Sequence, residues 1–267
     1  MSVYIMGATI VLVCSAILSM AGLGAAFIFV PLFFWLGVPL RESMSVALLL
    51  NTVSLAFASV SYIKKGLVDF RMSVPIMLTA VITSPIGAIL SKYVNRPVLL
   101  WLFVAFLLFA GAMMLFYRPG RGYARAAAGA GVAVRAESIT LDAVRSDKAP
   151  WYGALIGVAA GFLGGMLGVG GGNFIVPVLN WLGYEPKKAA ATTAFVVVFS
   201  SFTGFLGHIS FGGTDIRFVI VTGATAVAGA LAGAWLMEHK VSGGQLKKVI
   251  GSLLFVMAGK MIFDLLG

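Results

Sequence analysis

Residues Gly24 to Gly87 of this chain can be laid over Gly170 to Gly233 at a constant offset of 146 positions, without a gap. In that register Gly24 pairs with Gly170, Pro31 with Pro177, Trp35 with Trp181, Gly37 with Gly183, Gly66 with Gly212, Asp69 with Asp215, Arg71 with Arg217 and Gly87 with Gly233. Gly22 with Gly168 extends the match upstream, and Phe109 with Phe255 and Ala112 with Ala258 extend it downstream. The chain is a tandem duplication, so its fold has to be one that two similar units complete together. With 60% hydrophobic and 10% charged residues, 267 positions carry more apolar surface than one soluble core can bury, and the bilayer is the expected solvent. Duplicated units of this kind are the usual build of a secondary transporter, with the substrate held where they meet.

Each half contains four apolar stretches, against roughly 20 residues needed for one spanning helix. They run Val3 to Leu36, Ser43 to Ile63, Met72 to Tyr93 and Val98 to Tyr117, then Trp151 to Leu182, Ala189 to Phe211, Phe218 to Met237 and Val249 to Leu266. This gives a first membrane repeat over 1–117, a basic linker over 118–150 and a second membrane repeat over 151–267. The first stretch lacks a basic n-region and has a counterpart in mid-chain, so it reads as part of the fold and not as a removable signal. Cys14 is the only cysteine and lies in an apolar helix, which leaves no disulfide, metal cluster or redox cofactor to expect. The net charge of +10 is spread over loops between spans, a topology signal and not a nucleic-acid surface.

The first stretch of each half, about 34 residues from Val3 to Leu36, is too long for one crossing and short for two. Breaks are visible at Ala21-Gly22-Leu23-Gly24-Ala25 and from Gly164 to Gly172, because glycine weakens a helix by about 1 kcal/mol per position relative to alanine. If each stretch enters and returns as a hairpin, 14 basic residues fall on one side of the membrane and 4 on the other, with Lys260 left within it. Single crossings would divide them almost evenly, so the positive-inside rule favours the hairpins. The expected fold is an all-α polytopic membrane protein of two inverted repeats. Each repeat is a broken, re-entrant helical hairpin followed by three transmembrane helices, with the linker cytoplasmic and both termini outside.

In that arrangement Gly170, Gly171, Gly172 and Asn173 lie inside the membrane, at the start of a short helix expected from about Phe174 to Gly183. Unpaired N–H groups and the positive end of the helix dipole can hold an anion there without a buried Arg or Lys, and Asn173 is a favoured N-cap. The matching turn, Gly24-Ala25-Ala26, has fewer glycines and no Asn, so the second half is expected to make the tighter contacts. Asn51, Thr192 and Thr193 are candidates for the opposite wall, since a mid-span amide has to face protein, water or ligand. Pro31 and Pro177 are expected to shape the hairpins. Gly157, Gly161, Gly229 and Gly233 have the four-residue spacing of helix packing. His208 is a candidate for proton coupling, against the plainer reading of an interfacial histidine. Lys260 and Asp264 are spaced as an i,i+4 pair, and Asp69 with Arg71 and Asp215 with Arg217 suggest helix capping and interface anchoring.

The run Gly168-x-Gly-Gly-Gly-Asn-Phe-Ile-Val-Pro177, followed by Trp181-Leu-Gly183 and Ala189-Ala-Ala-Thr192-Thr193, resembles the second-half motif of the sulfite exporter TauE/SafE family of permeases. Gly22-x-Gly24 with Pro31 and Trp35-Leu-Gly37 repeats it in weaker form, with Gly24-Ala25-Ala26 where the family pattern often has three glycines. The resemblance covers nearly the whole chain. It implies a multi-pass inner-membrane transporter of small anions, typically sulfite, sulfonates and related organosulfur compounds, or organic acids. The partners are then a small anionic substrate and the lipid bilayer; homo-oligomerisation is left open. A channel and a carboxylate permease of the same fold are the rivals. An enzyme is disfavoured, since the chain offers only His208 and His239 and no nucleophile or metal motif, and no nucleotide-binding loop is present.

Overall fold

The computed structural model describes residues 9, 11–17, 24–116, 149–182, 184–208, 216–239 and 243–266. Among these every regular element is an α-helix, and the helices follow the repeat. Helical residues 11–17 precede α1 (Ala26–Trp35), α2 (Leu40–Lys64), α3 (Phe70–Leu90) and α4 (Arg96–Phe116). The second half has α5 (Ala149–Leu167), α6 (Gly172–Trp181), α7 (Pro186–His208), α8 (Ile216–His239) and α9 (Gly243–Leu266). Shifting α1 by 146 positions gives both ends of α6, and the same shift carries the first residues of α2 and α3 onto those of α7 and α8. The stretches Leu40–Lys64, Phe70–Leu90, Arg96–Met113 and Lys187–His208 are long and apolar enough to cross a bilayer. The protein is a polytopic, all-helical membrane protein.

Several helices begin earlier than the apolar stretches. α2 takes in Arg41 and Glu42, and α7 takes in Lys187 and Lys188, because charged side chains at a helix end reach the interface while the backbone continues the helix. Pro186 opens α7 and Pro150 lies in the first turn of α5, where a missing N–H costs nothing. Helix α5 thus takes in Ala149 and Pro150, the last two residues of the expected linker. The rest of the linker lies outside the described residues, as do Gly22, Gly183 and Asp215. α3 starts at a side-chain cap: Asp69 Oδ1 accepts from the N–H groups of Arg71 at 3.0 Å and Met72 at 3.3 Å.

Glycines set the closest packing between the halves. α5 runs parallel to α3: a Cβ on Gly153 would touch Pro75, one on Gly157 Ile76, one on Gly161 Ala80 and one on Gly165 Ser84. Likewise α8 lies on the helical residues before α1, with Gly229 against the Leu12 carbonyl and Gly233 against the Ala16 carbonyl. Gly87 meets the Phe162 carbonyl, and exchanging the two halves turns that contact into the one between Gly233 and Ala16. The central pair is antiparallel: Asn51 of α2 faces Ser201 of α7, and Leu48 faces Gly204. α4 and α9 are antiparallel too, Gly111 meeting Leu254 and Leu115 meeting Gly251.

One end of the bundle gathers Lys64 and Lys65 with Lys187 and Lys188, because the α2–α3 turn is tied to the start of α7. Thr192 Oγ1 accepts from the Asp69 N–H at 3.0 Å, and the Tyr184 hydroxyl donates to Asp69 Oδ2 at 2.8 Å. At the other end Arg41 donates to the Lys92 carbonyl at 2.8 Å. On the outside, Phe70, Val74, Leu78, Ile82, Ile86 and Leu90 form a strip along α3, each 40% to 64% exposed. Such a strip suits acyl chains as solvent.

Candidate functional site

The two chain breaks meet at the middle of α2. In the second half Gly168, Gly170 and Gly171 have φ of 71°, 77° and 80°, a left-handed path that side chains oppose. Val169 and Gly170 both donate to the Gly164 carbonyl, at 2.8 and 3.2 Å, and the chain turns back so that Gly171 lies against the Ala160 carbonyl. Gly171 then occupies the N-cap position and α6 begins at Gly172. Asn173 is therefore not the cap. It is the second helical residue, because a left-handed glycine has ended the turn two positions earlier than the run of apolar residues suggests.

Asn173 is 1% exposed, and neither its Oδ1 nor its Nδ2 has a hydrogen-bond partner. That is costly, since a buried polar group left unsatisfied loses about 1–3 kcal/mol. Gly170, Gly171 and Gly172 are buried with it. Thr193 is fully buried with Oγ1 also unpartnered, one helical turn before Val197, whose methyl lies 3.2 Å from the place of a Cβ on Gly170. Phe174 anchors this turn to α4, 4.8 Å from the Phe106 ring and 5.8 Å from that of Phe109.

Asn51, also fully buried, is engaged on both sides. Its Oδ1 accepts from the Ala25 N–H at 3.0 Å, at the start of α1, and its Nδ2 donates to Ser201 Oγ at 2.9 Å. A Cβ on Gly24 would run into the same side chain, and one on Gly170 would lie 2.8 Å from Asn51 Nδ2. Ser200 Oγ donates to the Gly170 carbonyl at 3.0 Å. The amide thus joins the first-half break to the second-half break, with Ser200 and Ser201 fastening it from α7.

The other candidates have local tasks. Thr192 is occupied by the Asp69 N–H. Pro31 and Pro177 lie buried inside α1 and α6, not at the hairpin turns, and their missing N–H groups leave the Phe27 and Asn173 carbonyls without an intrahelical amide donor. His208, the last residue of α7, is buried in the protein: it is 2% exposed, and its Nε2 donates to the Gly165 carbonyl at 2.7 Å, which fixes the neighbouring turn. Lys260 pairs with Asp264 at 3.8 Å and lies over the Trp35 ring, 3.7 Å from its centre. Sequence reasoning missed Arg41 and Arg96 as more than topology markers. Both line an open cavity of about 550 Å³ between the end of α1 and the starts of α2 and α4, with Arg96 over the Phe34 ring at 4.8 Å.

The chain is similar in sequence to known membrane proteins. Over 266 residues the chain is 24% identical to the probable membrane transporter protein YunE of Bacillus subtilis, covering 95% of each. It is 23% identical over 257 residues to the probable membrane transporter protein MJ0441 of Methanocaldococcus jannaschii, covering 90% of this chain and 88% of the relative. A shorter segment of 92 residues is 34% identical to sulfite exporter TauE/SafE family protein 2 of Arabidopsis thaliana, a third of this chain but 20% of the plant protein. No solved structure matches. The family pattern described as Sulfite exporter TauE/SafE spans residues 7–261. With that span nearly complete and a bundle of helices, four of them long and apolar enough to cross a bilayer, beneath it, the chain belongs to the sulfite exporter TauE/SafE family of membrane transporters.

Proposed function

We propose that the protein is a secondary transporter of small anions, which binds its substrate at the start of α6 and exposes it alternately to the two sides of the membrane. The carrying observation is Asn173: an amide 1% exposed with both polar atoms unpartnered, in the first turn of a short helix that begins inside the bundle. An anion reaching Gly171, Gly172 and Asn173 receives backbone N–H groups, the positive end of the α6 dipole and the Asn173 Nδ2 donor. Thr193 Oγ1, buried and unpartnered on α7, is a further donor for it. Since the Asn173 amide is sealed from solvent, binding requires the bundle to open, as alternating access does.

The antiparallel contact of α2 with α7 supports two repeats inverted across the membrane. On the charge rule, the end bearing Lys64, Lys65, Lys187 and Lys188 faces the cytoplasm together with the linker, and both termini lie on the opposite side of a cell inner membrane. Sulfite, sulfonates and related organosulfur anions are the favoured cargo; of these the names of the plant relatives mention sulfite. Transport is driven by an ion or substrate gradient.

The test is counterflow in proteoliposomes with sulfite, thiosulfate, short sulfonates and short carboxylates, comparing the native chain with Asn173→Ala. Saturable exchange that Asn173→Ala lowers at least about tenfold in kcat/KM, with its melting temperature kept, is the expected result; tenfold corresponds to one lost hydrogen bond to a charged ligand. Exchange indifferent to Asn173→Ala removes the substrate from α6, and ohmic, non-saturating current replaces the carrier with a channel.

A further inference from the structure

The two halves treat the starts of their short helices differently, and the difference rests on a single register position. In the first half Gly24 faces Asn51, whose Oδ1 accepts from the Ala25 N–H at 3.0 Å. Moving every residue by 146 gives Gly170, Val197 and Gly171, and the contact of Gly170 with Val197 is present in the structure. Val197 is fully buried and has no acceptor. Among the described residues the Gly171 N–H is not seen donating to any group. The start of α1 is therefore filled by an amide oxygen of the protein itself, while at the start of α6 the equivalent residue supplies only a methyl group, Ser201 Oγ being the side-chain atom nearest Gly170, and two polar side chains of the same half, Asn173 and Thr193, are unpartnered.

We infer that Asn51 is a built-in occupant of the first-half position, so that the chain binds one anion and not two, and that Val197 is the residue that keeps the second-half position open. This rests on the reading of α6 as the anion site. The chemistry is competition for one donor. A carboxamide oxygen and an oxyanion both seek the N–H at the start of a short helix, and in a sealed site the side chain that is always present excludes the ligand. The donor that Asn51 leaves over, on Nδ2, goes to Ser201 beside Gly170, so the same amide closes one half and lines the other. Asn and Val are close in volume, so exchanging them adds a carboxamide, with its acceptor and its donor, and leaves the packing nearly unchanged.

Binding of sulfite and of methanesulfonate to the full chain in detergent, followed by titration calorimetry with melting temperatures alongside, tests this. The native chain is expected to take up one anion per chain. Val197→Asn is expected to weaken binding at least tenfold with an undiminished melting temperature, because the new amide oxygen takes the Gly171 N–H. Val197→Thr, nearer in shape and able to accept through its hydroxyl, gives a smaller loss in the same direction and serves if Val197→Asn does not fold. Two anions per native chain, or native affinity in folded Val197→Asn and Val197→Thr while Asn173→Ala abolishes binding, overturns the inference and leaves the α6 site standing. Native affinity in Asn173→Ala, or no binding of either anion by the native chain, removes the α6 site and this inference with it.

Discussion

Asn51 Nδ2 donates to Ser201 Oγ at 2.9 Å, and this bond joins the middle of one repeat to the middle of the other. Asn51 is fully buried and Ser201 is too, so each group depends on its partner. Interhelical bonds of this kind in a membrane average only about 0.6 kcal/mol, but leaving a buried amide unsatisfied costs about 1–3 kcal/mol. Ser201→Ala is expected to lower the melting temperature modestly. Asn51→Leu should lower it further, since it also strips the acceptor from the Ala25 N–H. A double-mutant cycle over Asn51 and Ser201 reads the coupling directly, and a coupling indistinguishable from zero would deny the bond any role in joining the halves.

Asn173 presents the opposite case. Replacing a side chain that is buried and unpartnered removes a penalty, so Asn173→Leu is expected to keep or raise the melting temperature while abolishing anion exchange. Stability gained where function is lost is the signature of a group held for a ligand. A large fall in melting temperature would instead mark Asn173 as a structural residue.

Gly171 is a poor probe of binding, because its φ of 80° and its approach to the Ala160 carbonyl both oppose a side chain. The left-handed conformation alone costs an alanine about 1–2 kcal/mol. Gly171→Ala is expected to reduce folded yield and melting temperature. Gly259, helical in α9 with open space around it, is the control: Gly259→Ala gains helix propensity and should leave the protein as stable or slightly more so. Equal melting temperatures for the two variants would refute the strain at Gly171.

The duplication, the helical bundle and the breaks at glycine were all legible in the sequence, because each follows from local chemistry. Apolar length sets spans, left-handed glycines end helices, and an acidic residue before a helix caps it, as Asp69 does. What was not legible depends on which side chains meet across the bundle. Asn51 reads as a ligand contact from its mid-span position, and only the fold shows both of its polar atoms spent on Ala25 and Ser201. Thr192 and Thr193 are adjacent and equivalent on paper. The helix turns them about 100° apart, so that one meets Asp69 and the other nothing. Asn173 was misplaced by a single step of reasoning, since Gly171 caps the helix that Asn173 was expected to cap. One signal was available and unused: the offset that pairs Gly24 with Gly170 also pairs Asn51 with Val197.

His208 decides between coupling and construction. Its Nε2 donates to the Gly165 carbonyl at 2.7 Å, and Gly165 O also accepts from Gly168 at 3.2 Å, so the ring holds the end of α5 just before the left-handed turn that leads to α6. Asn173 is buried too but has both polar atoms free for a ligand, whereas the His208 ring has its donor committed to the backbone in this conformation. The expected role is therefore positional. His208→Gln keeps a side-chain N–H donor, and it should transport with the pH profile of the native protein at a modestly reduced melting temperature. His208→Ala loses the donor and leaves the Gly165 carbonyl with the Gly168 N–H alone, so the lost bond should cost about 0.5–1.5 kcal/mol of stability, and the variant should transport poorly at every pH. Transport by a well-folded His208→Gln that no longer responds to an imposed pH gradient, where the native protein does, would instead assign the coupling proton to this ring.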